Sequence, residues 1–363
     1  MTLTGSQRLL LALIRSALQN DNADLVFSSV DWKETYSLAK SQGVQGIVFD
    51  TLEKLPSSLY PPKTILLDWM ANVTTMERTY NAYVNAIMKL SDIIKAEDLT
   101  MLVMKGYGCS LNYPFPSHRP CGDIDIFVMT CDGTHSANMV RLVNNVVTKE
   151  ANARLVGNSK HHSVIQFGKF AVENHESILD IDTHKSSIVL NKLLETLAAD
   201  SLLASPTKGG LLLPSVKFNS IHLLRHMAND FATVKTSLRH VLDWSTFVSK
   251  NKIDWDFVYG VAHQTNMYKF LNAINSICID YLGYNTKLFR IEERNEKLRD
   301  RVLQDILSLQ GQDEIPEMKH KLRYGIAKTH RMWRNRWKYA IVYDECLLSS
   351  FLSSAYNRIL HLS

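Results

Sequence analysis

Residues 122–128 read Gly-Asp-Ile-Asp-Ile-Phe-Val, and few conformations suit that string. Acids and β-branched residues alternate with the two-residue period of a strand. Asp123 and Asp125 then share one face, while Ile124, Ile126 and Val128 point into a core. Two carboxylates side by side repel each other unless a cation lies between them. Taken alone, the string also describes a strand end with two solvated acids; the neighbouring residues favour the first reading.

Those neighbours have α/β character. Thr100 to Met104 is a short apolar run closed by Lys105-Gly106, which suits a buried strand. Pro114, Pro116 and Pro120 break the chain up to the second strand, Asp123 to Met129. A helix is predicted over Ser136 to Lys149, and a hairpin of Ser163 to Gly168 with Phe170 to Asn174 turning at Gly168-Lys169. A further strand is predicted over Leu179 to Thr183.

Both flanks read as helix. On the N-terminal side the segments are Gln7 to Gln19, a helix begun by Asp31 with Glu34 three residues on and ended by Gly43, Val44 to Leu55, and Lys63 to Ala96. On the C-terminal side they are Val189 to Ala199, Ser215 to Asp230, Lys235 to Lys250 and Trp255 to Gln264. The expected fold class is α+β: a small mixed β-sheet core at 98–187, flanked by helical regions at 1–97 and 188–363.

Composition narrows the function classes only a little. The chain has 363 residues, 45% hydrophobic and 21% charged, enough apolar mass for a sizeable core. The net charge of +5 suits a protein that handles polyanions but does not require one. Five cysteines without a C-x-x-C pair argue against a disulfide framework and a zinc ribbon, so a reducing compartment is expected. Leu9 to Ile14, bracketed by Arg8 and Arg15, fits an amphipathic first helix better than a signal peptide. No stretch approaches the roughly 20 apolar residues of a membrane span, and a cytoplasmic protein without membrane partners is expected.

The string Met104-Lys105-Gly106, Tyr113-Pro114-Phe115-Pro116, Arg119, Asp123-Ile124-Asp125-Ile126-Phe127-Val128 resembles the uncharacterised bacterial nucleotidyltransferase family of the DNA polymerase β-like superfamily. Val172-Glu173-Asn174-His175 resembles that family's acidic strand. Ile221 to His226 and Leu238 to Asp243 resemble its two helical motifs. The resemblance is strongest at 100–130 and fades after 260.

It implies a nucleotidyltransferase sheet with a carboxylate triad, onto which Asp123, Asp125 and Glu173 map as catalytic and metal-binding acids. It also implies Mg2+ (with Mn2+ as the alternative ion), a nucleoside triphosphate with ATP as the default donor, and transfer of the nucleoside monophosphate to a hydroxyl with release of pyrophosphate. The residues alone leave the third acid open among Glu173, Asp180 and Asp182.

One departure affects the phosphate site. The superfamily's Gly-Ser or Gly-Gly before the acids is replaced by Lys105-Gly106, at a longer distance from Asp123. Lys105 and Arg119 are therefore expected to contact phosphate, and Gly106 to let the backbone approach it. His175 shares a face with Glu173 and is expected to orient a carboxylate or a substrate. Arg239 and Asp243, four apart, can pair along a helix that the resemblance sets against the nucleotide.

Other features weigh less. His161, His162, His175 and His184 lie near one another in sequence, but no cysteine has zinc-site spacing. His222 and His226 have metal-ligand spacing, yet no glutamate follows His222, so packing is the expected role. Residues 318–338 hold Lys319, Lys321, Arg323, Lys328, Arg331, Arg334, Arg336 and Lys338 and no acid, interleaved with Tyr324, Trp333, Trp337 and Tyr339. This is read first as an amphipathic helix with a solvated basic face and its tryptophans in the core, and second as an RNA contact. The rival functions are a catalytically silent nucleotide- or RNA-binding module and a toxin-like enzyme modifying tRNA. The acceptor stays open among small molecule, sugar, protein hydroxyl and RNA end.

Overall fold

Five strands form one sheet in the order β1-β2-β5-β4-β3. They are β1 Thr100–Met104, β2 Ile124–Met129, β3 Arg154–Asn158, β4 His162–Phe167 and β5 Phe170–His175. β2 runs antiparallel to β1 and parallel to β5, and the other pairs are antiparallel, so the sheet is mixed as expected. The computed structural model describes residues 3–19, 27, 30–182, 184–203, 211–233, 236–308, 327, 329–330 and 333–345.

Before the sheet come α1 Gly5–Gln19, α2 Trp32–Ser41, α3 Gln45–Leu52 and α4 Lys63–Lys95. Within it lie α5 Gly106–Ser110 and α6 Ala137–Glu150. After it come α7 Lys185–Asp200, α8 Val216–Thr233, α9 Leu238–Lys250, α10 Trp255–Gln264, α11 Tyr268–Asp280, α12 Glu296–Leu307 and α13 Arg336–Val342. The α+β class follows directly.

The central strand is buried on both faces, and its alternation assigns each face to a different core. Ile124, Ile126 and Val128 pack with Tyr83, Ile87 and Leu90 of α4 and Val140, Val143 and Val147 of α6. Phe127 and Met129 belong to a second core shared by the N-terminal helices and the helices from α7 onward. Asp125 lies on the Phe127 face, toward the helical regions. α4, about 50 Å long at 1.5 Å per residue, serves both cores. Its Trp69 stacks on Tyr36 at 4.5 Å and donates its indole N–H to the Gln45 carbonyl (2.9 Å), while Tyr83 reaches the sheet.

Local signals explain most element ends. The Asp31 carboxylate accepts from the Glu34 backbone N–H (2.9 Å) and starts α2. Gly43, at φ +67, takes the left-handed conformation that ends α2. The Gln42 side chain beside it donates to the Ile306 carbonyl (2.9 Å) and accepts from the Leu238 backbone N–H (2.8 Å), tying α2 to α12 and α9.

The structure differs locally from what was expected. Residues 179–182 form no strand, and Thr183 lies outside the described residues. The Leu179 N–H bonds to the Asn191 side chain instead of a ladder, and Asp180 and Asp182 turn toward His161. β3 was not expected; it is an edge strand with Leu155 and Val156 exposed and an irregularity between Leu155 and Gly157, so it lacks an alternating core pattern. The expected helix start at Lys235 lies outside the described residues; the helix begins at Leu238, where the Ser237 side chain caps it together with His240.

In the basic segment, Lys319, Lys321, Arg323, Tyr324, Lys328 and Arg331 lie outside the described residues. Trp337 packs edge-on against Phe231, and Lys338 is buried in an ion pair with Asp305 (2.6 Å). Trp333 is exposed with the Arg336 guanidinium over its ring, so one tryptophan packs half-buried against the core and the other does not. Among the described residues, no helix is long and apolar enough to cross a membrane.

Candidate active site

Parallel pairing of β2 with β5 sets Asp125 directly opposite Glu173, with both side chains on one face. Antiparallel pairing with β1 sets Met104 opposite Asp125 on the other side and delivers Lys105 one residue beyond. Lys105 Nζ donates to Asp125 Oδ1 at 3.1 Å. His175 Nε2 lies 3.1 Å from the same oxygen and 3.5 Å from Glu173 Oε2. Asp125 is thus nearly buried between a lysine, a histidine and a second acid.

Asp123 sits one residue before the strand and is exposed. Its carbonyl accepts from the Tyr83 hydroxyl at 3.0 Å. A Cβ at Gly106 would collide with that hydroxyl. Glycine at 106 therefore makes room for the tyrosine that holds the Asp123 backbone, and that space is filled from within the protein. Lys105 itself has φ +47, a backbone state that non-glycine residues rarely adopt and that concentrates at functional sites.

Charge within the cluster is only partly balanced. Burial opposes ionisation of Asp125, but the Lys105 ammonium and the His175 hydrogen bond outweigh it and hold its pKa far below the usual range. Glu173 is lowered by its His175 hydrogen bond. Burial works against charge on His175, yet hydrogen bonds to Asp125 and Glu173 raise its pKa. Burial works against charge on Lys105 as well, and Asp125 raises it. Asp123 moves the other way: partial burial and then repulsion from Glu173 and Asp125 raise its pKa.

The expected third acids separate in space. Asp125, Glu173 and His175 offer ligand atoms within 4.8 Å of one another. Asp180 instead meets His161 Nε2 at 3.0 Å, and Asp182 lies 3.7 Å from both that nitrogen and Lys160 Nζ.

Arg119 meets an acid outside the cluster. Its guanidinium grips both oxygens of Asp243 (Nε to Oδ1 2.9 Å, Nη2 to Oδ2 2.8 Å) and donates to the Pro120 carbonyl. The Tyr113 hydroxyl also donates to Asp243 Oδ1 (2.8 Å). Both charges are buried, and the bidentate contact offsets part of their desolvation cost. Asp243 is equally committed and is not the partner of Arg239 along α9. The Arg239 Nε is buried without a hydrogen-bond partner among the described residues.

Of the remaining histidines, His162 lies near His175 with ring centroids 5.4 Å apart, and His222 is buried in packing as expected. His226 instead meets Asp230 and His240. Sequence reasoning gave no individual role to Tyr83, Tyr113, Asp230 or His240, although Tyr113 and His240 lie in the strings that carry the resemblance. Only the His226-x3-Asp230 spacing offered a signal, since one helical turn brings such residues together.

A strained lysine, three neighbouring acids and an imidazole bonded to two of them form a polar site that could hold a divalent cation and anionic oxygens. No curated protein and no solved structure matches the chain. A family profile described as an uncharacterised nucleotidyltransferase matches residues 28–283. That match takes in the whole sheet, the acids and both helical motifs, well over half of the sequence, and the chain belongs to this uncharacterised nucleotidyltransferase family.

Proposed function

We propose that the chain transfers a nucleoside monophosphate from a nucleoside triphosphate, ATP by default, to a hydroxyl-bearing acceptor with release of pyrophosphate. The observation that carries this reading is the in-register pairing of Asp125 with Glu173, with Asp123 two residues from Asp125 at the exposed edge. Three carboxylates gathered so closely that partial burial and then mutual repulsion raise the Asp123 pKa are a donor set suited to a hard divalent cation. Asp123, Asp125 and Glu173 would hold Mg2+ or Mn2+. When bound, the ion neutralises the triphosphate and orients it for in-line attack.

The chain's own residues supply the rest. Lys105, fixed by its Asp125 contact, offers an ammonium for phosphate oxygens at the cluster's edge. His175 orients the two strand acids through one nitrogen and is a positioning residue. Tyr83 fixes the Asp123 backbone, so that acid keeps its place while its side chain remains accessible.

The test is a thermal-shift panel of nucleoside triphosphates with and without Mg2+, run beside Asp123→Asn and Asp125→Asn, followed by a pyrophosphate-release assay. At a ligand concentration of about 100 Kd, binding adds about 2.7 kcal/mol of stability, a shift of a few degrees. The expected result is a Mg2+-dependent shift that both variants abolish. No shift with any triphosphate would overturn the reading, and binding without turnover across hydroxyl acceptors would favour a silent binding module.

A further inference from the structure

A second cluster of ligand-type side chains stands on the helical side of Lys105. His226 and Asp230 are one turn apart on α8 and project from the same side. The Ser237 cap places His240 in the first turn of α9, facing them. His240 Nε2 lies 3.4 Å from Asp230 Oδ2, and His226 Nε2 lies 3.6 Å from the same oxygen. One ligand atom from each residue falls within 4.8 Å of the others.

The spacing discriminates between two uses of such a cluster. A charge-assisted N–H to carboxylate hydrogen bond runs about 2.7–2.9 Å, so both contacts are too long to be good ones. Around a tetrahedral ion with bonds of about 2.0–2.1 Å, neighbouring donors stand roughly 3.3–3.4 Å apart. The two imidazole–carboxylate distances, 3.4 and 3.6 Å, lie close to that spacing.

A partner for the outer ring nitrogen of His240 is also in place. Ser237 Oγ lies 3.2 Å from His240 Nδ1 and can accept a hydrogen bond from an N–H there when Nε2 is committed to a metal. In the free protein that nitrogen accepts from the Ser237 backbone N–H instead, so loading exchanges the tautomer.

We propose that His226, Asp230 and His240 bind one divalent transition-metal ion of the zinc class, at a site separate from the Asp123, Asp125 and Glu173 cluster. Two imidazoles and one carboxylate favour zinc over magnesium, which takes oxygen donors. The His226 and Asp230 side chains keep 31% and 22% exposure, so the fourth position opens toward solvent, for water or an oxygen of a second molecule.

The experiment uses the full chain after chelator treatment, titrated with Zn2+ by calorimetry and with Co2+ by visible absorption. The expected result is one equivalent of Zn2+, a cobalt band of tetrahedral intensity, and no displacement by excess Mg2+. In the His226→Gln, His240→Gln double variant, affinity should fall by more than the roughly 10–100-fold caused by losing an outer-shell partner alone, and the band should vanish. In Asp123→Asn, Glu173→Gln both should persist. If the histidine variant fails to fold by circular dichroism, Asp230→Asn serves in its place, and the native titration still decides. Absence of Zn2+ binding by the native protein, or equal binding by the ligand variants, would overturn the proposal. Neither readout involves a nucleotide, so its failure is distinguishable from failure of nucleotidyl transfer.

Discussion

Two ion pairs lie within the stretch that the family profile matches, one buried and one partly exposed, and they are built for different ends. Arg119–Asp243 is closed: the guanidinium takes both carboxylate oxygens, Tyr113 takes a further lone pair, and little of either side chain is exposed. Lys105–Asp125 is open: a single 3.1 Å contact, a lysine side chain still 20% exposed, a strained lysine backbone, and further acids at its edge. A motif of alternating charges cannot tell the two apart. Geometry does, because a saturated carboxylate has nothing left to offer a ligand, while an under-neutralised group of carboxylates does.

Breaking the closed pair should give the largest stability effect. Arg119→Ala leaves Asp243 buried and uncompensated, and a loss of about 3–5 kcal/mol is expected, read as the midpoint of urea unfolding. An Arg119→Met, Asp243→Leu double variant should lose less than the sum of the single changes, since no unpaired charge remains. Additive losses would mean that the two charges act independently.

The wall behind the open pair gives a smaller effect, visible in pH. His222 is buried, and that burial, aided by Lys105, takes its pKa down to about 3. A depressed histidine contributes stability that is fully present above its unfolded pKa near 6.5 and lost as pH falls toward the folded value. Between pH 7 and pH 5 the unfolded chain binds the proton and the folded chain does not, so about 2 kcal/mol should disappear. His222→Leu should flatten the native decline by that amount. Parallel pH curves would remove His222 from the account.

Opening the open pair should move stability least. Lys105→Ala removes a partly exposed contact and leaves His175 on Asp125, so about 1 kcal/mol or less is expected in urea unfolding. Its effect should appear in triphosphate binding, with affinity at least tenfold weaker under Mg2+. A loss of stability comparable to that of Arg119→Ala, with unchanged affinity, would put Lys105 in the structural class.

Much of the sheet could be read directly. Thr100–Met104 and the hairpin around Gly168 have strong local patterns, and they fold where expected. So does the Asp31 cap. β3 could not be read, because an exposed edge strand carries no burial period. Residues 179–182 misled in the opposite direction: their alternation is that of a strand, but their polar groups find partners in Asn191 and His161.

The site divides in the same way. The sequence by itself determined that Asp123 and Asp125 stand beside a core strand, because a two-residue period forces that placement. It also carried Glu173 and His175 on one face, by the same period. Only the tertiary structure decided which acids meet. Strand register, a non-local property, sets Glu173 against Asp125 and leaves Asp180 and Asp182 outside. Only the tertiary structure, likewise, committed Arg119 to Asp243 and brought His240 to Asp230 across two helices. Side-chain partners from distant segments are fixed by packing and desolvation, and no local pattern records them.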